Sequence, residues 1–129
     1  MLERDIDAAL VNEFFEYILD AEVREAFIYL VGAFTCLRSV TWRVKKQGFV
    51  RSFRVYQDGK RYFSMMPSQH KINFHFLPPV LRDSIYRKDA ISKMFSSFDD
   101  SSHKDEEHWA IDIKTIEDAR LLLRALNLK

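Results

Sequence analysis

The sequence is poor in cysteine, glycine and proline, with one, three and three of them in 129 residues. A single cysteine, Cys36, excludes a disulfide within the chain and is typical of a reducing compartment. Three glycines leave no glycine-rich loop to hold nucleotide phosphates, so we expect no nucleotide cofactor and no other cofactor. Linkers, repeats and low-complexity segments are also absent, which favours one domain over residues 1–129.

Long apolar runs and a strong net charge are missing as well. No apolar run approaches the roughly 20 residues of a membrane-spanning helix, and MLERDIDAAL carries acids where a signal peptide has basic residues. We therefore expect a cytoplasmic protein without a membrane partner. The 20 basic and 19 acidic side chains nearly cancel, so attraction to a polyanion requires local clustering of charge.

Apolar spacing predicts helices at both ends of the chain. Ile6, Leu10, Phe14 and Ile18 recur every four positions and predict a helix over residues 3–19. Asp20 is placed to begin a second helix that runs to about Leu37. Residues 80–98 are predicted helical with a restart near Asp89, and Thr115 is predicted to cap a final helix. Between them, 96–108 is polar and acidic and is interpreted as an exposed, mobile loop.

The middle of the chain has the period of two that strands show. Residues 39–77 contain turn signals at Gln47-Gly48, Asp58-Gly59 and Pro67–His70, and 109–114 alternate as a fifth strand. The sequence therefore predicts an α+β fold, a five-stranded, mainly antiparallel sheet packed on helices, in the order ααββββ(α)βα. The 47% of hydrophobic residues, 11 phenylalanines among them, suffice for its core.

Two hairpin registers follow from keeping apolar side chains on one face. A two-residue Gln47-Gly48 loop pairs Val44 with Arg51 and Trp42 with Phe53. A three-residue loop over 57–59, with Gly59 left-handed, places Arg54 beside Tyr62 and Val55 near Phe63. The predicted outer face carries Thr41, Arg43, Lys45, Ser52, Arg54, Tyr62, Asn73 and His75.

Cations cluster between residues 43 and 61, where seven basic side chains accompany one acid and several aromatic residues. Cations neutralise phosphates and exposed rings stack on unpaired bases, which points to a nucleic acid or another anionic ligand. We select as ligand-binding residues Arg43, Lys45, Arg51, Arg54 and Tyr62. The alternative is a solvated sheet face whose charges protect the edge of the sheet, because most of these aromatic residues fall on the predicted core face.

A second patch on the same face combines Arg43, Arg54 and Tyr62 with Asn73 and His75. Asp112 of the fifth strand also belongs to it. Arginine binds carboxylate or phosphate with a bidentate fork, and histidine titrates near neutral pH. This patch predicts a small-molecule site or, as a third hypothesis, an enzyme with a pocket around His75.

Other chemistry has weaker support, and we assign no catalytic and no metal-binding residue. The cluster 103–108, with Asp99 and Asp100, contains possible zinc or iron ligands but lacks a rigid spacing such as HExxH. Asp58-Gly59-Lys60 and 112–114 match the D-x-K triplet of some nucleases, which also occurs by chance. Cys36 lies near the end of an apolar helix and is expected as a small core residue rather than a nucleophile.

The strands and last helix also resemble a known group. SVTWRVKKQGFVRSFRVYQDGKRYFSMM, HKINFHFLPP and WAIDIKTIEDARLLLRAL resemble the small bacterial α+β domains of the YdhG-like and YjbR-like kind. The resemblance implies leading helices and an antiparallel meander. YdhG-like proteins include some regarded as iron chaperones, but their tyrosine–methionine–proline signature is missing here. YjbR-like proteins have been considered DNA-binding, and no catalytic residue carries over from them.

The residues together favour a non-enzymatic binding module with a nucleic acid or another anionic ligand. The alternative is a protein-interaction or inhibitor-type protein that acts through its helices or its acidic loop. Dimerisation through the apolar first helices is also left open.

Overall fold

A computed structural model describes residues 5–100 and 107–128 of the chain. Its helices are α1 (Asp5–Tyr17), α2 (Ala21–Cys36), α3 (Pro78–Arg82), α4 (Lys88–Met94) and α5 (Ile116–Leu126). Its strands are β1 (Thr41–Gln47), β2 (Val50–Gln57), β3 (Lys60–Pro67), β4 (Ile72–Phe76) and β5 (Trp109–Ile113). The predicted α+β class and element order are confirmed, with residues 80–98 resolved into the two short helices α3 and α4.

The sheet is an antiparallel meander in which each strand pairs with the next, in the order β1-β2-β3-β4-β5. Beyond β5, Asp99 forms a backbone bridge with Ala110, and the hydroxyl of Ser97 accepts a hydrogen bond from the amide of Asp112. These contacts occupy donors and acceptors that β5 would otherwise present to solvent. The edge at β1 carries Arg43 and Lys45, charges that discourage pairing with another strand.

The predicted register of the first hairpin is wrong by two residues. Val44 pairs with Phe53 and Trp42 with Val55, because the loop is Gly48-Phe49 rather than Gln47-Gly48. Gly48 has φ +61°, and a glycine at the first central position is what a type II′ turn requires. A shift by two preserves the side of the sheet on which each residue lies, so the predicted faces of β1 and β2 remain valid.

The second hairpin also differs from its prediction. Its loop is Asp58-Gly59, with φ values of +52° and +76° that fit the type I′ turn favoured by this dipeptide. The predicted proximity of Val55 and Phe63 is confirmed, but Arg54 pairs with Ser64 rather than lying beside Tyr62. The register changes between Val55 and Tyr56, which leaves one extra residue on β3, a β-bulge.

The hydrophobic core lies between the helices and one face of the sheet. Phe34 of α2 contacts Phe53 and Phe74 with ring centroids 6.3 Å apart in both cases, and Phe63 contacts Phe74 and Phe76 at 5.5 Å. All five phenylalanines belong to a single cluster of buried residues, which also contains Ala119, Leu122 and Leu126 of α5.

Helix ends follow the sequence signals to different degrees. Thr115 caps α5 as predicted: its hydroxyl accepts from the Asp118 amide, and the Asp118 carboxylate accepts in return from the Thr115 amide. Asp20 occupies the N-cap position of α2, but its side chain makes no capping hydrogen bond and instead contacts Nδ1 of His70 at 3.0 Å. None of the described helices is long and apolar enough to cross a bilayer.

Candidate functional site

The sheet face opposite the helices is defined here as the outer face. Alternation along each strand places on it Thr41, Arg43 and Lys45 of β1, Ser52, Arg54 and Tyr56 of β2, Arg61, Ser64 and Met66 of β3, Asn73 and His75 of β4, and Ala110 and Asp112 of β5. Among the described residues, none of these side chains belongs to the buried cluster that the helices form with the sheet. The outer face is therefore the side of the sheet that lies outside the core, and its larger side chains cover Ser52 and Ser64, which are buried.

The β1–β3 part of the outer face carries four cations, Arg43, Lys45, Arg54 and Arg61. Arg43 and Arg54 are direct cross-strand partners. Within residues 5–100 and 107–128, no acidic side chain pairs with any of the four. Many other cations are paired, as in Arg24–Glu16, Lys46–Glu13, Lys60–Asp83, Lys71–Asp112, Arg87–Asp89 and Lys88–Asp100.

The pKa of Arg61 is affected by the neighbouring positive charge. Partial burial lowers the pKa of its guanidinium below the usual value, and the positive charge of Arg54 lowers it further. Its Nε is buried and has no hydrogen-bond partner among the described residues, and the same holds for the hydroxyl of Ser64. A buried donor without a partner and two adjacent arginines are both unfavourable in the free protein.

Two of the arginines are held in place by short-range hydrogen bonds. Arg54 donates from Nε to the hydroxyl of Ser52 at 3.2 Å, and Arg43 donates from Nη1 to the carbonyl of Trp42 at 2.9 Å. Each bond uses one donor of a guanidinium that has five. Oriented side chains with free donors suit the recognition of phosphate or carboxylate, because less side-chain entropy is lost on binding.

A shallow concavity of about 340 Å³ lies at the β1 end of this surface. It is lined by Thr41, Arg43, Lys45, Tyr56 and Gly59. The Tyr56 ring is half-buried, with the β2–β3 turn at one side. The cavity thus combines two cations with one aromatic ring, and His75 does not contribute to it.

The β4–β5 part of the outer face holds a polar network instead of free cations. The Asn73 amide donates to Asp112 at 3.2 Å, Lys71 donates to the other Asp112 oxygen at 3.3 Å, and Asn73 Oδ1 faces Nε2 of His75. This orientation of Asn73 requires a hydrogen on His75 Nε2. Nδ1 of His75 contacts Nε2 of His108, so both ring nitrogens of His75 are engaged.

The structure brings five of the seven predicted ligand-binding residues to one face. Arg43, Lys45 and Arg54 lie together on β1 and β2, and Asn73 and His75 lie on the same face in β4. The other two, Arg51 and Tyr62, lie elsewhere.

Arg51 and Tyr62 are not part of this surface. The Arg51 guanidinium lies 3.5 Å from the centre of the Tyr17 ring in α1, because position 51 faces the helices. Tyr62 is displaced by the bulge: it is buried, and its hydroxyl donates to the carboxylate of Asp83 beyond α3.

Sequence reasoning missed Arg61 and Tyr56 as members of the outer face, and His108 as a contact of His75. The bulge brings Arg61, rather than Tyr62, opposite Tyr56 on that face. An Asp-Gly dipeptide favours a two-residue turn, and that signal could have identified Tyr56 and Arg61 as partners.

The remaining sequence hypotheses find little support. His103, Asp105 and Glu106 of the predicted metal cluster lie outside the described residues, as does the middle of the predicted loop over 96–108. In the described part of the chain, no three His, Cys, Asp or Glu side chains form a group that could hold a metal ion. Asp58 of one D-x-K triplet occupies a turn. Cys36 was expected in the core but is exposed at the last position of α2.

The Tyr62–Asp83 contact gives a testable pH dependence. The hydrogen bond to Asp83, together with burial and the charge of that carboxylate, raises the pKa of Tyr62 to about 12. A folded-state pKa above the unfolded value of about 10 stabilises the protein below pH 10, and this contribution is lost as the pH rises to about 12.

We expect Tyr62→Phe to lower the free energy of unfolding by about 1–2 kcal/mol at neutral pH. The variant's stability should then decline less steeply between pH 10 and 12 than that of the unchanged protein. Urea unfolding at several pH values measures both effects. Equal slopes in the Tyr62→Phe variant and the unchanged protein would contradict this assignment.

No family model matches the chain, and neither a curated protein nor a solved structure matches it. The resemblance to YdhG-like and YjbR-like domains therefore stays a prediction.

Proposed function

We propose that this chain is a non-enzymatic binding module that binds a single-stranded nucleic acid on the β1–β3 part of its outer face. The proposal assigns phosphate contacts to Arg43, Lys45, Arg54 and Arg61. It assigns base stacking to Tyr56.

The observation that carries the proposal is the set of four cations on the outer face, none of which pairs with an acidic side chain within residues 5–100 and 107–128. Arg54 and Arg61 are close enough that the charge of one lowers the pKa of the other. A polyanion relieves this repulsion and releases its own condensed counterions, which is the main source of affinity in such complexes.

The shape of the face favours a single strand over a duplex. Three strands about 4.8 Å apart form a surface roughly 10 Å wide, and the four cations lie along these strands rather than on a helix that could enter a duplex groove. Single strands bind to such surfaces by combining phosphate contacts with stacking on aromatic rings. Tyr56 beside Arg43 and Lys45 supplies both kinds of contact in one concavity.

The test is a fluorescence-anisotropy titration of the protein with a labelled single-stranded DNA 12-mer at 50 and 200 mM salt. Four phosphate contacts predict that affinity falls about 50-fold between these concentrations, from a slope of about −0.7 per contact. A peptide nucleic acid of the same sequence, which has bases but no phosphates, should bind far more weakly. Equal affinity at both salt concentrations, or no binding at 50 mM, would overturn the proposal; tighter binding of a duplex would overturn its single-strand part.

A second function, protein binding through the first two helices, is favoured by an apolar groove of about 290 Å³. It is lined by Ala8, Val11, Asn12, Phe15 and Ile28, and Ile28 is 48% exposed. Under this hypothesis Ile28→Asp abolishes capture of a protein partner, whereas the Arg43→Ala/Arg54→Ala variant retains it.

A further inference from the structure

Phe49 is the most exposed large apolar side chain described in the protein, at 95%. It occupies the second central position of the tight β1–β2 turn, after Gly48. The turn geometry requires glycine at position 48 but no aromatic residue at position 49. Phenylalanine is among the residue types most often buried, so an isolated ring at a hairpin tip needs an explanation outside the fold.

The tip continues the line of the cationic surface. From the C-terminal end of β2 toward its N-terminal end, the outer-face positions are Tyr56, Arg54, Ser52 and Val50. Val50 is adjacent to the turn. Six residues of strand cover roughly 20 Å. Arg43 lies opposite Arg54 and Lys45 opposite Ser52, so three cations lie at the middle of the line between the two aromatic rings.

We propose that the bound single strand runs along β2, with one base stacked on Tyr56 and another on Phe49 at the hairpin tip. Arg43, Lys45 and Arg54 contact the phosphates between them. This inference rests on the proposed function and deepens it. It specifies the path of the nucleic acid along β2 and the length of nucleic acid that fills the site. At 3.4 Å per stacked nucleotide, roughly 20 Å corresponds to about six nucleotides.

A lipid surface is the other class of partner that an exposed tip residue can contact. The exposed apolar side chains at this turn are Phe49 and Val50 alone among the described residues of the hairpin, and their neighbours Gln47 and Gly48 add no apolar side chain. So small an apolar surface, continuous with a tyrosine and with cations that pair with no described acidic side chain, fits a base better than an acyl layer.

The experiment compares oligothymidylates of three and eight nucleotides with the unchanged protein and with Phe49→Ala, Phe49→Tyr and Phe49→Leu. The eight-nucleotide strand reaches both rings, whereas the three-nucleotide strand reaches only one at a time. Phe49→Ala should weaken binding of the longer strand by about 5- to 150-fold, the range for loss of one stacked base. Phe49→Tyr should restore the affinity, because tyrosine also stacks, and Phe49→Leu should not.

Ile85→Ala is the matched control, because Ile85 is a half-exposed apolar residue outside the sheet, and it should leave the affinity unchanged. Salt-dependent binding of the eight-nucleotide strand that Phe49→Ala does not weaken overturns the inference and leaves the proposed function standing. Full affinity of Phe49→Leu overturns the stacking role. Binding to vesicles of anionic lipid that depends on Phe49, with strand binding unaffected, assigns the tip to a membrane and also overturns it. If the unchanged protein binds neither strand, the proposed function and the inference fail together.

Discussion

Replacing Phe63 by alanine is expected to lower the free energy of unfolding by about 3–5 kcal/mol. The Phe63 side chain is fully buried, and its ring lies 5.5 Å from Phe74 and Phe76, 6.0 Å from Tyr62 and 6.1 Å from Tyr86, between ring centroids. Alanine leaves a cavity that the surrounding rings fill only in part. The expected loss is a large fraction of the roughly 5–15 kcal/mol that stabilises a domain.

Urea unfolding followed by circular dichroism measures this loss as a lower midpoint at constant slope. Phe63→Leu keeps most of the volume and should cost roughly 1–2 kcal/mol, so it provides a measurement if the alanine variant does not fold. Phe49→Ala is the matched control, since its ring is exposed, and it should change stability by less than about 0.5 kcal/mol. A loss below about 1 kcal/mol for Phe63→Ala would show that Phe63 is not the centre of the core.

Replacing Arg43 and Arg54 together by alanine is expected to weaken binding of single-stranded DNA by roughly 25-fold at 0.1 M salt. Each phosphate contact raises the logarithm of the binding constant by about 0.7 for a tenfold decrease in salt concentration from 1 M to 0.1 M. The double variant loses two such contacts. The two residues form a cross-strand pair and have no acidic partner among the described residues, so their removal should not destabilise the fold.

Arg87→Ala/Arg124→Ala is the matched control, because it removes the same charge from exposed positions at helices α4 and α5. Anisotropy titrations of both double variants make the comparison at equal net charge. If the two variants lose the same affinity, net charge rather than the outer face determines binding.

Secondary structure and the two faces of the sheet could be predicted because they depend on local periodicity. Val44, Phe53 and Phe74 alternate with polar neighbours, and alternation survives an error of two residues in register. That is why the wrong position of the first turn left Arg43, Lys45 and Arg54 on their predicted face.

The β-bulge could not be predicted from alternation, because the contacts at Tyr62 are tertiary. Tyr62 donates its hydroxyl to Asp83, and its carbonyl accepts from the Leu77 amide at 2.9 Å. No regular pairing of β2 with β3 combines a two-residue Asp58-Gly59 turn with apolar side chains on one face only. The extra residue on β3 allows both. The correct site includes Arg61 and excludes Tyr62 for this reason.

The misplacement of Arg51 has a different cause. Its predicted role followed from its charge within a basic segment, whereas its position in β2 directs it toward α1. There its guanidinium lies over the Tyr17 ring, a contact between elements more than 30 residues apart in sequence. Charge clustering along the sequence therefore overestimates the charge on any one face of a strand.

The central claim is that the outer face of β1–β3 is the binding surface, and chemical-shift mapping tests it most directly. A ¹⁵N-labelled sample is titrated with the single-stranded 12-mer at 50 mM salt, and backbone amide shifts are followed residue by residue. We expect the largest changes at Arg43, Arg54, Tyr56 and Arg61, with little change in α2 and α5. Changes concentrated around Phe15 and Ile28 in the α1–α2 groove, with the strands unperturbed, would contradict it.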